Sequence, residues 1–261
     1  MMPDDAPANR STRPYCCQPT AASRTDLRRL DLDQGVPFSR RGLLIVAALL
    51  LAAPVALTAD CAIARWCLAG HCPRLIRDLL RVCELFGHGL GLLVIVLAIH
   101  QLDPARRWAL PRVLASALGA GLMANVVKLL VSRARPSGFD LAAGAWASFG
   151  GWLPLAGADS SAQSFPSGHV ATAAGFAVAL VWLYPAGRKV FPVLVVLVAC
   201  QRMETSSHFL SDVLVAAAVG LLTGMVVLRA PWPTRWLPDR ARIRLAAGSL
   251  GSPPARKGGL P

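Results

Sequence analysis

Residues 42–59 run for eighteen positions without a charged side chain, and five further apolar stretches follow them. These are 85–102, 113–131, 170–187, a fifth that begins at 190 and extends past 201, and 213–228. A helix needs roughly 20 predominantly apolar residues to cross the hydrocarbon of a bilayer. Each run approaches that length. The chain is therefore predicted to be all-α, a six-transmembrane-helix bundle. Composition agrees: 54% of residues are hydrophobic and 16% charged, and the apolar ones come in runs.

The domain plan follows from where the runs stop. Residues 1–41, rich in Pro, Ser, Asp and Arg, read as a disordered N-tail. Residues 42–228 hold the six spans, and 229–261 form a basic C-tail. Arg40-Arg41 ahead of the first run also fits a twin-arginine export signal, but five further spans favour an anchored first helix. Nineteen of the 27 Lys and Arg residues fall in the two tails and in the loops after spans two and four. The positive-inside rule then places both tails in the cytoplasm, in a bacterial inner membrane, with the opposite loops facing the periplasm or outside. Arg65, Arg74, Arg77 and Arg81 run against that count. Over 74–83, Leu75, Ile76, Leu79 and Leu80 share one helical face and Arg74, Arg77, Asp78 and Arg81 another. That pattern suits either a helix lying on the membrane surface or an extension of span two.

The formal charge of +13 points to anionic lipid head groups rather than nucleic acid, because the basic residues sit between and beyond apolar runs. Among the seven cysteines, Cys16 and Cys17 lie in the N-tail and Cys200 in an apolar run. Cys61, Cys67, Cys72 and Cys83 surround one loop, where a Cys67–Cys72 pair is one option that spacing cannot decide.

Polar residues collect on the side with fewer basic charges. Lys128 to Pro136 ends span three, Ser164 to His169 opens span four, and Arg202 to Asp212 joins spans five and six. Ionisable groups at a bilayer edge are costly enough to require a partner or a function. Lys128 and Arg135 are two helical turns apart, and Pro136 disfavours helix at Arg135, which puts that cation just past the helix end. Ser167 and Gly168 stand where a helix begins, with backbone N–H groups directed at an anion. His208 and Asp212 are one turn apart, so the carboxylate can orient the imidazole. Three cations, a helix N-terminus, two histidines and a carboxylate suit a tetrahedral oxyanion.

Lys-x6-Arg-Pro, Pro-Ser-Gly-His and Arg-x5-His-x3-Asp, in that order, resemble the three signature motifs of the type 2 phosphatidic acid phosphatases, whose site is shared with the vanadium haloperoxidases. The resemblance covers about 85 residues, from Lys128 to Asp212, and about 190 with the six-span layout. It implies that His208 attacks phosphorus and that Asp212 steadies the resulting imidazolium. It also implies that His169 protonates the leaving oxygen and then deprotonates the hydrolytic water. Lys128, Arg135 and Arg202, with the Ser167 hydroxyl and the Gly168 N–H, would hold the equatorial oxygens. Two departures stand out. Gln201 replaces the family's usual Ser, and Thr205-Ser206-Ser207 replaces a Gly-containing run.

The expected substrate is a phospholipid or isoprenoid-lipid phosphate: phosphatidate, phosphatidylglycerol phosphate, undecaprenyl pyrophosphate or monophosphate, or lipid A. No nucleic acid, cofactor or metal is expected, since three fixed cations would repel a divalent ion. A vanadate-dependent oxidase and an inactive membrane binding protein are the alternatives. His88 and His100 read as packing or interfacial residues, and Gly119, Gly121, Gly220 and Gly224 as helix contacts. Trp146, Phe149 and Trp152 read as an interfacial anchor rather than a substrate lid.

Overall fold

The computed structural model describes residues 40–153 and 160–231. The predicted N-tail lies outside these residues except for Arg40 and Arg41, as does the C-tail beyond residue 231; Cys16 and Cys17 lie outside them too. Seven α-helices occur among the described residues: α1 (Arg40–Leu68), α2 (Arg74–Glu84), α3 (Gly89–Leu102), α4 (Leu110–Leu130), α5 (Gly168–Leu183), α6 (Val190–Glu204) and α7 (Leu210–Arg229).

Helix covers most of each of the six apolar stretches. Arg40–Leu68, Pro104–Leu130 and Leu210–Arg229 are long and apolar enough to cross a membrane. Helices α2 and α3, joined through a 3-10 turn at Leu85–Gly87, meet that criterion only as a pair bent by 68°. With 16 and 15 residues, α5 and α6 fall short of the roughly 20 that cross hydrocarbon.

The core is organised around α5, which packs against α4, α6 and α7, while α1 lies along α7. Its residues are apolar on every side, and such a helix belongs in an interior. Val170, Ala171, Ala173, Phe176 and Ala179 are fully buried. Small residues let the backbones close up. Gly220 of α7 sits against the Ala171 carbonyl, where a Cβ has no room. Gly119, expected to act likewise, meets Thr223 only at an ordinary 3.7 Å. Large apolar side chains face outward on α1 (Leu51, Val55), α3 (Leu93, Val94, Leu97), α4 (Leu118, Leu122) and α6 (Val193, Val196). Patches of that extent are untenable in water and natural against lipid.

The bend parts α2 from the direction of α3, so α2 is not a straight extension of the second span. Leu75, Ile76, Leu79 and Val82 are exposed on it, whereas Leu80 turns inward and Arg77 bonds Glu204 of α6 at 2.6 Å. Leu80 therefore does not share the outer apolar face that its spacing suggested. Cys67 and Cys72 are free thiols, as are Cys61, Cys83 and Cys200.

After α4 the chain forms β1 (Val131–Arg133), antiparallel to β2 (Phe149–Trp152), with a register shift between Ser132 and Arg133. Strands of three and four residues are too short to show a period of two and leave no periodic signal in the sequence.

Candidate active site

Helices α1, α4 and α6 end, and α3, α5 and α7 begin, at one end of the bundle. The 3.1 Å hydrogen bond from the Tyr184 hydroxyl to Asp103 belongs to the opposite end. At the first end lies a cavity of about 360 Å³ lined by Lys128, Arg135, Gly168, His169, Arg202 and His208. Gly87, His88, Gly89, Gly121, Asn125 and Thr172 complete its wall.

Local rules place each group. Lys128 is in the last turn of α4. Arg135, held extended by the following Pro136 (φ −77°, ψ 149°), stands beyond that helix. Ser167 is the N-cap of α5 and Gly168 its first residue, so the helix opens at the cavity with unpaired N–H groups. The buried Ser167 Oγ, Arg135 Nε and Arg202 Nε have no hydrogen-bond partner among the described residues. Buried polar atoms seldom stay unpaired without a ligand or water to meet them.

The expected bond between Asp212 and the His208 ring is not the one formed. His208 Nδ1 lies 2.6 Å from the Ser164 carbonyl but 3.8 Å from Asp212 Oδ2, and the longer separation is beyond hydrogen-bond reach. A carbonyl only accepts, so Nδ1 carries the proton and Nε2 keeps its lone pair. Asp212 acts from a step further back. Its Oδ2 accepts from Ser164 Oγ at 2.6 Å and from the Phe209 N–H at 2.9 Å. Burial pushes the His208 imidazole below its ordinary pKa, and the Asp212 carboxylate opposes that shift. At neutral pH the ring is uncharged.

Beneath Asp212 lies a buried ionic cluster that the sequence did not single out. Arg133, with no exposed side-chain surface, pairs with Asp212 and bonds Asp60 at 2.8 Å, Ser148 at 2.9 Å and Ser211 at 2.7 Å. Phe149 and Phe209 sandwich its guanidinium at 4.5 and 4.3 Å. Asp60 also accepts from the Ser211 N–H at 3.0 Å. Phe149 thus packs beneath the site, while Trp146 and Trp152 are exposed.

The reading of His88 changes, and the two departures from the motifs find their places. His88 does more than pack: it lines the cavity, stacks on His169 with centroids 5.7 Å apart, and accepts the Leu90 N–H as the N-cap of α3. Gly87 beside it makes this approach possible, since a Cβ there would stand 2.5 Å from the His169 carbonyl oxygen. Gln201 is buried and donates to Glu84 at 2.9 Å. Ser206 adopts φ +51°, a conformation that favours glycine, so the serine run keeps a turn shape that glycine would form more easily.

Residues 109–236 match the PAP2 superfamily. The chain is 34% identical over 125 residues to a lipid A 1-phosphatase of Rhizobium johnstonii, covering 46% of this chain and 48% of that protein. It is 32% identical over 125 residues to a lipid A 1-phosphatase of Rhizobium etli, covering 46% and 51%. The alignments span about half the length of these curated relatives. Among solved structures, it is similar to the first transmembrane PAP2 type phosphatidylglycerolphosphate phosphatase from Bacillus subtilis. That likeness has a TM-score of 0.46 and 21% identity, covering 72% of this chain and 92% of the other.

Proposed function

Because residues 109–236 belong to the PAP2 superfamily, we propose that this chain is a six-span membrane lipid phosphatase that works through a phosphohistidine. The observation that carries the reading is the convergence of Lys128, Arg135 and Arg202 with His169 and His208 on one cavity. A phosphoryl group with up to two negative charges fits three cations, the Gly168 N–H and the unpaired Ser167 hydroxyl. His208 Nε2, left free by the Nδ1 contact to Ser164, attacks phosphorus in line. As the ester P–O bond breaks, His169 gives its proton to the leaving oxygen. Water then attacks the phosphohistidine, His169 takes the water's proton, and the N–P bond breaks to release phosphate. Charge spreading over the equatorial oxygens is met by cations already in place, which costs little reorganisation.

The substrate class is a lipid phosphate. The names of the curated relatives put lipid A first among candidates, ahead of phosphatidate, phosphatidylglycerol phosphate and undecaprenyl phosphates. Phosphate release by the purified protein from a panel of these lipids is the test, and no release from any of them sinks the reading. Turnover is expected to persist in excess EDTA and to be inhibited by vanadate. Loss on chelation with recovery on adding Mg²⁺ contradicts the three-cation cage.

The basic residues in the tails and in the loops after spans two and four support a cavity on the outer face, with both tails cytoplasmic. Single cysteines placed in the 137–153 segment are expected to react with an impermeant thiol reagent in intact cells, and cysteines at 184–190 are not. The reverse pattern overturns that orientation.

A further inference from the structure

We propose that Glu84 is the positioning residue of His169, orienting the general acid and favouring its protonated form before the ester bond breaks. This rests on the phosphohistidine reading above. Glu84 ends α2, just before the 3-10 turn at Leu85–Gly87, and no signature motif includes it. Its Oε1 accepts from Arg202 Nη1 at 2.6 Å and lies 3.8 Å from His169 Nε2, while Oε2 accepts from Gln201 Nε2 at 2.9 Å. The Arg77–Glu204 pair at 2.6 Å fastens α2 to α6 a second time, so the carboxylate has a fixed place.

A general acid at this point meets an electrostatic difficulty. Burial pushes the pKa of the His169 ring down to about 4, and Arg202 from α6, His88 from the start of α3, His208 from the loop before α7 and Lys128 from α4 all add to that shift. Every one of them is a cation or can become one, and each opposes a positive charge on His169. An alkoxide leaving group needs a proton from that same ring. Glu84 is the carboxylate within 4 Å of it among the described residues and, once a phosphate occupies the cations, adds to the attraction for that proton. The separation of 3.8 Å is long, but catalytic contacts are often loose before substrate binds. Gln201 acquires a purpose in this arrangement, because its side-chain amide fixes the second carboxylate oxygen where the related motif has serine.

Leaving groups of different basicity separate this role from a structural one. An alkyl lipid phosphate needs its leaving oxygen protonated, and p-nitrophenyl phosphate does not. In the full-length protein, Glu84→Gln is expected to lower kcat on the lipid phosphate by about 10–100-fold. The loss on the aryl phosphate should be at least tenfold smaller. The alkaline limb of the lipid rate profile should move to lower pH, and inhibition by vanadate, which reads the cation cage, should hold within about threefold. Glu84→Asp should recover part of the lipid rate. Equal losses on both substrates, weakened vanadate inhibition in step with turnover, or no loss on either substrate overturns the proposal. Wild-type protein that releases no phosphate from any lipid instead refutes the phosphatase reading beneath it.

Discussion

His208→Ala is expected to leave less than about a hundredth of wild-type turnover, because removing the nucleophile costs at least the 10²–10⁴ that acid–base help alone supplies. Wild-type protein quenched early in turnover should carry acid-labile phosphate on His208, and the variant none. The pH profile gives an independent check. Only the neutral ring attacks, and protonation of Nε2 removes the lone pair. Burial holds the imidazole below its ordinary pKa, so the neutral form survives as pH falls through about 6.5, the unperturbed histidine value. The acid limb of kcat/KM should therefore lie below that point. Retention of several per cent of activity in His208→Ala, or an acid limb well above pH 7, removes His208 from the attacking role.

The sequence showed the cavity's walls more clearly than its supports. Lys128, Arg135, His169, Arg202 and His208 were legible because each is polar at the edge of an apolar run, where a side chain without a function is costly. Glu84 was hidden because a bend of 68° brings α2 to the site, and a bend between two helices leaves no periodic trace. Asp60 was hidden by a boundary. The charge-free run ends at Ala59, so the acid read as the first residue outside the membrane, yet α1 continues to Leu68. Arg133 lay within the first motif, but its role depends on a strand register and on two phenylalanines distant in sequence. The Ser164 carbonyl could not be anticipated at all, since a backbone acceptor has no residue type to mark it.

Arg133→Met is expected to destabilise the protein by about 3–5 kcal/mol, the usual cost of removing one partner from a buried ion cluster. The guanidinium answers both Asp60 and Asp212, and all three side chains are cut off from solvent. Deleting the cation leaves two buried carboxylates without their counter-charge. Arg133→Lys should rescue little, because a single ammonium cannot reproduce the fork that bonds Asp60, Ser148 and Ser211 together. Adding Asp60→Leu to Arg133→Met should restore part of the stability by removing one stranded charge, but not the activity, because Asp212 stays unclamped behind His208. Denaturant midpoints in detergent, measured beside phosphate release, separate these outcomes. A midpoint for Arg133→Met equal to wild type would mean that the cluster contributes nothing to holding the end of α1 against the start of α7.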